Sequence, residues 1–344
     1  MKTCKLCFLG FGNVGRALVR LLVEKRDEIR ERYKVEWRVT GVATRRMGWL
    51  VNPDGFDVDT LLEGGAISNI SVPPGDVAEW LRAARADVLF ETTSLNPYTG
   101  QPGIEHIRAG LEHGAHVITA NKGPVVHAFE ELSELARKQG RRFLFEATVA
   151  DCLQVFSLFR ECLPAARLLG FRAILNSTTS IIIEEMEQGR TFEEGVGRAQ
   201  ELGVTETDPG YDVDGWDSAV KVCAMARVLM RAPLKLEEIE REGIRNLDSN
   251  RLRAARAEGR PFKLVSRAEI SNGSVRGSVR PEQVSPGDPL IMASGTSLLI
   301  HFELDVLSGM TMMAHNPNLK STAYGLLSDF INAVKEEREA AFSL

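Results

Sequence analysis

Long apolar runs are missing from this 344-residue chain, and so is an opening pattern of charged residues followed by a short apolar core. The first absence argues against a membrane-spanning helix, the second against a secretory leader, and cytoplasm is the expected compartment. A basic excess is missing too. Lysine and arginine number 42 against 47 acids, a net charge of −5, which leaves no broad footprint for nucleic acid or an anionic membrane. Cysteine is sparse and odd in number: Cys4, Cys7, Cys152, Cys162 and Cys223. A chain of this size does not need disulfide staples, so reduced thiols are expected. Cys4-x-x-Cys7 lies inside the first apolar segment with no partner pair and reads as core. The six histidines form no HExxH pattern. His106, His113 and His116 flank a helix and a strand, and no transition metal is expected. Internal repeats and low-complexity linkers are absent as well.

What is present is an ordinary globular composition, 44% hydrophobic and 26% charged. At roughly 100–200 residues per domain the length implies two domains. The pattern predicts strands at about 3–9, 36–43, 87–91, 116–119 and 142–149, with helical spacing between most of them, as at 104–112 and 129–138. Alternating strands and helices imply an α/β fold whose N-terminal part is a Rossmann-type, doubly wound parallel sheet over residues 1–150. Beyond Val149 the pattern changes. Helices are predicted at 181–188, 193–202 and 215–231, a hairpin around Asn272-Gly273, and strands at 168–175, 297–304 and 310–314. That implies a second, α+β domain of mostly antiparallel sheet over 151–319. A last amphipathic helix at about 323–341 packs residues 320–344 back on the first domain.

Gly10-Phe-Gly12-Asn13-Val14-Gly15 follows a strand and opens a helix, the setting of a dinucleotide-binding loop. Gly10 permits a tight turn, Gly12 a close approach of backbone to pyrophosphate, and Gly15 close packing of helix on strand. The helix N-terminus offers N–H groups and a positive dipole end to phosphate. The second strand ends in Ala43-Thr44-Arg45-Arg46. NAD sites place an acid there for the ribose 2′-hydroxyl, whereas arginine suits a 2′-phosphate, so NADP is preferred over NAD. The bland alternative for Arg45 and Arg46 is a solvated face.

Ligands of such sheets bind outside the carboxyl ends of the strands. Three strands there deliver Glu91-Thr92-Thr93-Ser94, Thr119-Ala120-Asn121-Lys122 and Glu146-Ala147-Thr148-Val149. Lys122 stands out, because a cation beside a cofactor can bind a carboxylate or carbonyl, or move a proton. Further on, Glu206, Asp208, Asp212, Asp214 and Asp217 fall within twelve residues, and Lys221 follows one helical turn after Asp217. One account is an acidic loop, an Asp214 N-cap and a helix salt bridge. The other is a site where acids hold an ammonium group and a lysine exchanges a hydroxyl proton.

The run Ala199–Lys221, AQELGVTETDPGYDVDGWDSAVK, resembles the signature segment of homoserine dehydrogenases, matching it at Ala199, Gly203, Val204, Thr205, Asp208, Pro209, Asp212, Val213, Gly215, Asp217 and Lys221. GFGNVG, the ITANKGP stretch around Lys122, and Glu146–Ala150 are similar to that family too, so the resemblance spans almost the whole chain. It implies an NAD(P)-linked interconversion of homoserine and aspartate 4-semialdehyde, within threonine and methionine biosynthesis. It implies that Lys122 and Lys221 are the catalytic lysines and that Glu206, Asp212 and Asp217 hold the substrate. It implies cofactor contacts from Gly10, Gly12, Asn13, Val14, Gly15, Thr44, Arg45, Arg46, Thr92, Thr93 and Lys122. It implies a monovalent cation, often sodium, beside Glu146 and Val149, and a homodimer formed through the second domain. The resemblance implies the short form of the family, in which no regulatory ACT domain is expected.

Three stretches depart from the family pattern. Ala150-Asp151-Cys152 stands where the family has a small glycine-rich stretch. Ser177-Thr178-Thr179-Ser180 stands for G-T-T-N, and Ala314-His315-Asn316-Pro317-Asn318 for G-P-G-A-G. Bulkier residues obstruct any backbone approach that glycine permitted. Two other readings therefore stand beside homoserine: a paralogous NADP-dependent enzyme of another hydroxy or amino acid, which for an amino-acid dehydrogenase requires ammonia-dependent turnover, and a non-catalytic NADP-binding protein.

Overall fold

The apolar segment ahead of the glycine loop forms the strand β1 (Lys2–Leu9), and the helix after the loop, α1 (Asn13–Glu24), buries Gly15, Leu18, Val19, Leu21 and Leu22 on one stripe. The structure is a computed structural model that describes residues 1–63, 70–71, 76–205 and 208–335. From α1 the chain continues through α2 (Arg26–Tyr33), β2 (Val35–Thr44), β3 (Gly48–Val51), α3 (Val58–Glu63), β4 (Ile70–Ser71), α4 (Val77–Ala84), β5 (Val88–Glu91), α5 (Gly103–His113), β6 (His116–Thr119), α6 (Lys122–Lys138) and β7 (Phe143–Leu144). There follow α7 (Val155–Ser157), β8 (Leu168–Ile174), α8 (Ser177–Glu187), α9 (Phe192–Glu201), α10 (Gly210–Val213), α11 (Trp216–Leu229), β9 (Glu240–Arg241), α12 (Ser249–Ala257), β10 (Phe262–Ser271), β11 (Ser274–Gln283), β12 (Leu298–Leu304), β13 (Met310–Ala314) and α13 (Leu319–Val334). The chain divides into two compact units, Met1–Cys152 with Asn318–Leu344, and Leu153–Pro317.

In the first unit the described strands form one sheet in the order β4-β3-β2-β1-β5-β6-β7. The core from β2 to β7 is parallel, as the alternating pattern predicts. β3 and β4 add an antiparallel edge that the sequence did not disclose. The strand order reverses beside β1, where Leu9 pairs with Glu91 of β5. A crevice forms at such a reversal, outside the carboxyl ends of the strands. Phe8 stacks on Phe90 at 4.9 Å between centroids, and Phe90 meets Phe330 of α13 at 6.2 Å. Those rings centre the core of this unit. Cys4 and Cys7 are buried and unbridged within it, consistent with the core reading of Cys-x-x-Cys.

The fifth predicted strand is shorter than the pattern implies. It stops at Leu144, and the chain turns into a 3₁₀ turn at Glu146–Thr148. The cause is hydrogen bonding. The backbone N–H of Glu146 donates to Asp329 Oδ2 of α13 at 2.8 Å, and the Thr148 hydroxyl donates to the Phe145 carbonyl at 2.7 Å.

The second unit carries a sheet in the order β13-β12-β8-β10-β11-β9. All its pairings are antiparallel except β11 with β9. Asn272 (φ +50°) and Gly273 (φ +78°) make the two-residue turn of the β10–β11 hairpin. Thr191 opens α9 with a reciprocal cap: its hydroxyl accepts from the Glu194 N–H, and the Glu194 carboxylate accepts from the Thr191 N–H. α8 begins earlier than the periodicity predicts, at Ser177, because Asn176 caps its first turn. α6 opens at Lys122 under an Asn121 cap, and its backbone breaks at Ala128 (φ −141°), just before the stretch predicted as helix from 129.

Candidate active site

In the first unit the glycine loop is built as its spacing requires. Gly10 has φ +86°, and a Cβ there would sit 2.5 Å from the Thr92 carbonyl oxygen. Gly15 has its own close neighbour, the Gly10 carbonyl oxygen, 3.3 Å from where a Cβ would be. Gly12 is different. It precedes the first residue of α1, caps it with no side chain, and a Cβ there would meet nothing within 4 Å. The space over Gly12 is open, no acid lies in the first turn, and the N–H groups of Asn13, Val14 and Gly15 have no capping side chain. Those features fit an anionic pyrophosphate. Thr44 turns the chain: its hydroxyl accepts from the Met47 N–H at 2.8 Å, and Arg45 and Arg46 stand exposed in that turn.

Glu91 ties the next two strand ends together. Its side chain is fully buried. One carboxylate oxygen accepts from the Thr93 N–H at 3.1 Å and from the Thr93 hydroxyl, and the other accepts from the Thr119 hydroxyl at 2.8 Å. His106 Nδ1 lies 3.6 Å away. The Thr119 oxygen in turn accepts from the Asn121 N–H at 2.9 Å. Asn121 caps α6 through the Gly123 N–H at 3.0 Å, and Lys122 is the first helical residue. A Cβ on Gly123 would come within 2.8 Å of the Gly100 backbone, so the Lys122 turn is seated closely. Thr92 donates to the Gly10 carbonyl at 2.9 Å, which joins this frame to the glycine loop.

Glu146 is buried at the start of its 3₁₀ turn, and buried Val149 closes it. Among the described residues no three His, Cys, Asp or Glu side chains gather as a metal site. Asp151, two residues on, adopts φ +52°. Its carboxylate accepts from the Thr322 hydroxyl at 3.0 Å, and its carbonyl fills the space over Gly325, where a Cβ would lie 2.5 Å from it.

In the second unit β8 delivers Leu175 and Asn176 to the start of α8. Asn176 Oδ1 accepts from the Thr179 N–H at 2.9 Å and caps the helix. Its Nδ2 donates to Asp212 Oδ1 at 2.7 Å and to Asp217 Oδ2 at 3.1 Å. Asp212 Oδ2 accepts from the hydroxyls of Thr178 at 3.1 Å and Thr205 at 3.2 Å. Lys221 Nζ donates to the Leu175 carbonyl at 2.6 Å and lies 2.9 Å from Asp217 Oδ2. The Lys221 and Asp217 side chains are only 13% and 12% exposed. The helix salt bridge expected from the spacing is therefore present, but it is largely buried and also anchored on backbone. Burial, and then the neighbouring Asp217 charge, push the Asp212 carboxyl up from its ordinary value.

The remaining acids separate. Glu206 lies outside the described residues. Asp208 accepts from the Gly210 N–H at 2.9 Å in an exposed turn. Asp214 is not the cap of α11. Gly215, left-handed at φ +79°, takes that place, and Asp214 turns to the Arg245 guanidinium.

The family model described as "Homoserine dehydrogenase" matches residues 155–331, and that of "Homoserine dehydrogenase, NAD binding domain" matches residues 10–146. The chain belongs to the homoserine dehydrogenase family. It is an NAD(P)-dependent oxidoreductase acting on a CH–OH group. Relatives of this homoserine dehydrogenase chain include the NAD(+)-dependent homoserine dehydrogenase of Pseudomonas canavaninivorans, 32% identical, covering 96% of each chain. Another is the homoserine dehydrogenase of Methanocaldococcus jannaschii, 31% identical, covering 95% of this chain and 97% of that one. Among solved structures, a putative homoserine dehydrogenase from Archaeoglobus fulgidus is similar with a TM-score of 0.84 at 30% identity, covering 97% and 100% of the two chains. A hyperthermophilic archaeal homoserine dehydrogenase mutant in complex with NADPH is similar at 0.79 and 25% identity, covering 96% and 98%.

The sequence placed Glu91 at a strand end and Thr205 in the signature segment but gave neither a role, since their partners lie on other elements; Asn176 it missed. Asn176 carried a usable signal: an asparagine between a strand and a Ser/Thr run is a helix cap. Its second task, joining two acids, had none.

Proposed function

We propose that this chain interconverts L-homoserine and L-aspartate 4-semialdehyde, with Lys221 as the group that exchanges the hydroxyl proton. The observation that carries the reading is the buried Lys221–Asp217 pair, whose ammonium is aimed by the Leu175 carbonyl. When bound, the nicotinamide supplies the hydride that reduces the aldehyde carbon. Lys221 then gives a proton to the developing alkoxide and recovers it from solvent, and Asp217 keeps the lysine charged between cycles. Lys122 stabilises charge on the reacting oxygen. Glu206, Asp212 and Asp217 orient the substrate ammonium. Asp212 already accepts three hydrogen bonds, which leaves it room for about one more.

Gly10, Gly12, Asn13, Val14, Gly15, Thr92 and Thr93 would hold the dinucleotide, and the open space over Gly12 supports that assignment. Arg45 and Arg46, exposed beside Thr44 at the end of β2, favour NADP. Sodium would sit at Glu146 and the Val149 carbonyl. The homodimer through the second unit, the cytoplasmic location and the place in threonine and methionine biosynthesis rest on the family. Among the described residues no helix is long and apolar enough to cross a membrane.

The test is reduction of NADP and of NAD by purified protein with homoserine, beside a panel of other hydroxy and amino acids with and without ammonia. Homoserine turnover above the panel supports the reading. Turnover of another compound alone establishes the paralogue, and cofactor binding with no turnover establishes a non-catalytic protein.

A further inference from the structure

We propose that Asn176 is the positioning residue of the substrate site: its single amide nitrogen sets the spacing of Asp212 and Asp217 and, through Asp217, the direction of the Lys221 ammonium. The inference rests on the reading of Lys221 and the acids given above.

The three groups come from α10 and α11, separate short pieces of chain, and two of them repel each other. Asn176 lies between them, 6% exposed, at the end of β8. An amide has two N–H donors, and here one reaches Asp212 and the other Asp217. Its oxygen is occupied elsewhere, on the Thr179 N–H. That fixes the orientation of the amide, because a flipped group would face two carboxylates with its oxygen and the Thr179 N–H with its nitrogen. Asp217 Oδ2 takes both the Asn176 amide and the Lys221 ammonium, so moving one moves the other. The adjacent Leu175 carbonyl holds the same ammonium. Two successive residues at the end of a central strand therefore place the whole group. The strand is itself fixed on both sides, by β10 and β12.

Asn176 does two things, and substitution separates them. Serine and aspartate both cap helices well, so both variants keep an acceptor for Thr179. Ionised Asn176→Asp has no donor for the acids, and Asn176→Ser has one O–H on a shorter side chain in place of the two N–H groups that reach Asp212 and Asp217. Asn176→Asp keeps the shape as well and places a third carboxylate against the other two. The experiment measures kcat and KM for homoserine, the Kd for NADPH, and the melting temperature, for the wild type, both variants and Asn176→Ala. A misaligned ammonium costs about a hundredfold in kcat/KM. Asn176→Ser is expected to lose at least about tenfold and Asn176→Asp about a hundredfold, with NADPH affinity unchanged and the serine variant melting near the wild type. Homoserine kinetics within about twofold of wild type in Asn176→Ser would overturn the proposal and leave Asn176 as a helix cap alone, whether or not the aspartate variant folds. If the wild type turns over another compound and not homoserine, the homoserine reading fails on its own, and the same variants are compared on that compound.

Discussion

Lys221 and Asp217 face each other one helical turn apart on α11, with Nζ 2.9 Å from Oδ2 and both side chains nearly closed off from solvent. An exposed pair at this spacing is worth a few tenths of a kcal/mol and serves only the helix. Burial changes that. The ammonium can leave neither its carboxylate nor the Leu175 carbonyl cheaply, so it is held in one direction.

Lys221→Ala should lower kcat/KM for homoserine by about 10²- to 10⁴-fold, the usual worth of a general acid. NADPH affinity should stay within about twofold, because the dinucleotide is assigned to the other unit. The variant should also be less stable by on the order of 1–3 kcal/mol, since Asp217 loses a buried partner. Steady-state kinetics, a fluorescence titration and thermal melting read the three effects. Wild-type turnover would remove Lys221 from the mechanism.

Gly10→Ala and Gly12→Ala should fail in opposite ways. At Gly10 a methyl group meets the Thr92 carbonyl at 2.5 Å on a left-handed backbone. The cost is on the order of 1–3 kcal/mol of stability, seen as a lower melting temperature. At Gly12 the added methyl meets nothing and the backbone is extended, so the fold should melt as before. The methyl does occupy the pyrophosphate approach, so the cofactor KM should rise about tenfold or more. Equal cofactor KM in wild type and Gly12→Ala would place the phosphates elsewhere.

Arg45 and Arg46 are exposed at the end of β2. Changing both to alanine should raise the KM for NADP by about ten- to a hundredfold, the loss of one or two charge-assisted contacts to a 2′-phosphate. The KM for NAD should hardly move. The relative from Pseudomonas canavaninivorans is named as NAD(+)-dependent, so the comparison of the two cofactors is decisive. A parallel change in both KM values would reduce the arginines to a solvated turn.

Asp212 predicts a pH effect on stability. Burial, and then the Asp217 charge, raise its carboxyl above the ordinary 3.8. In the pH range between that value and the raised one, the folded protein holds a proton that the unfolded chain has lost. This contribution to stability therefore declines as pH rises through that range, and the resulting penalty is constant above it. Asp212→Asn removes the penalty and can still accept from the Asn176 amide. Its melting temperature relative to wild type should therefore climb from about pH 4 upward and then level off. A pH-independent difference would mean that Asp212 ionises as freely in the folded protein as in the unfolded one.

Some of this was legible before any fold was known. The glycine loop and the alternation of β1, β2, β5, β6 and β7 with helices are local patterns, set by spacings of a few residues. So is the pairing of Asp217 with Lys221, four residues apart on one face. Local rules failed where a distant group intervened. Asp329 ends the strand before Glu146 from 183 residues away, and Gly215 takes the cap expected of Asp214. The bridge from Asn176 to Asp212 and Asp217 spans 36 and 41 residues, and the hydrogen bond from Thr119 to Glu91 spans 28. Amino-acid order alone determined most of the helices and the parallel strands and where the ionisable side chains fall along the chain, because helix and strand periodicity act within a turn or two. Only the tertiary structure decided which acids are buried, which oxygen each donor reaches and where the lysine points. Those depend on desolvation and on hydrogen bonds between segments that no spacing relates.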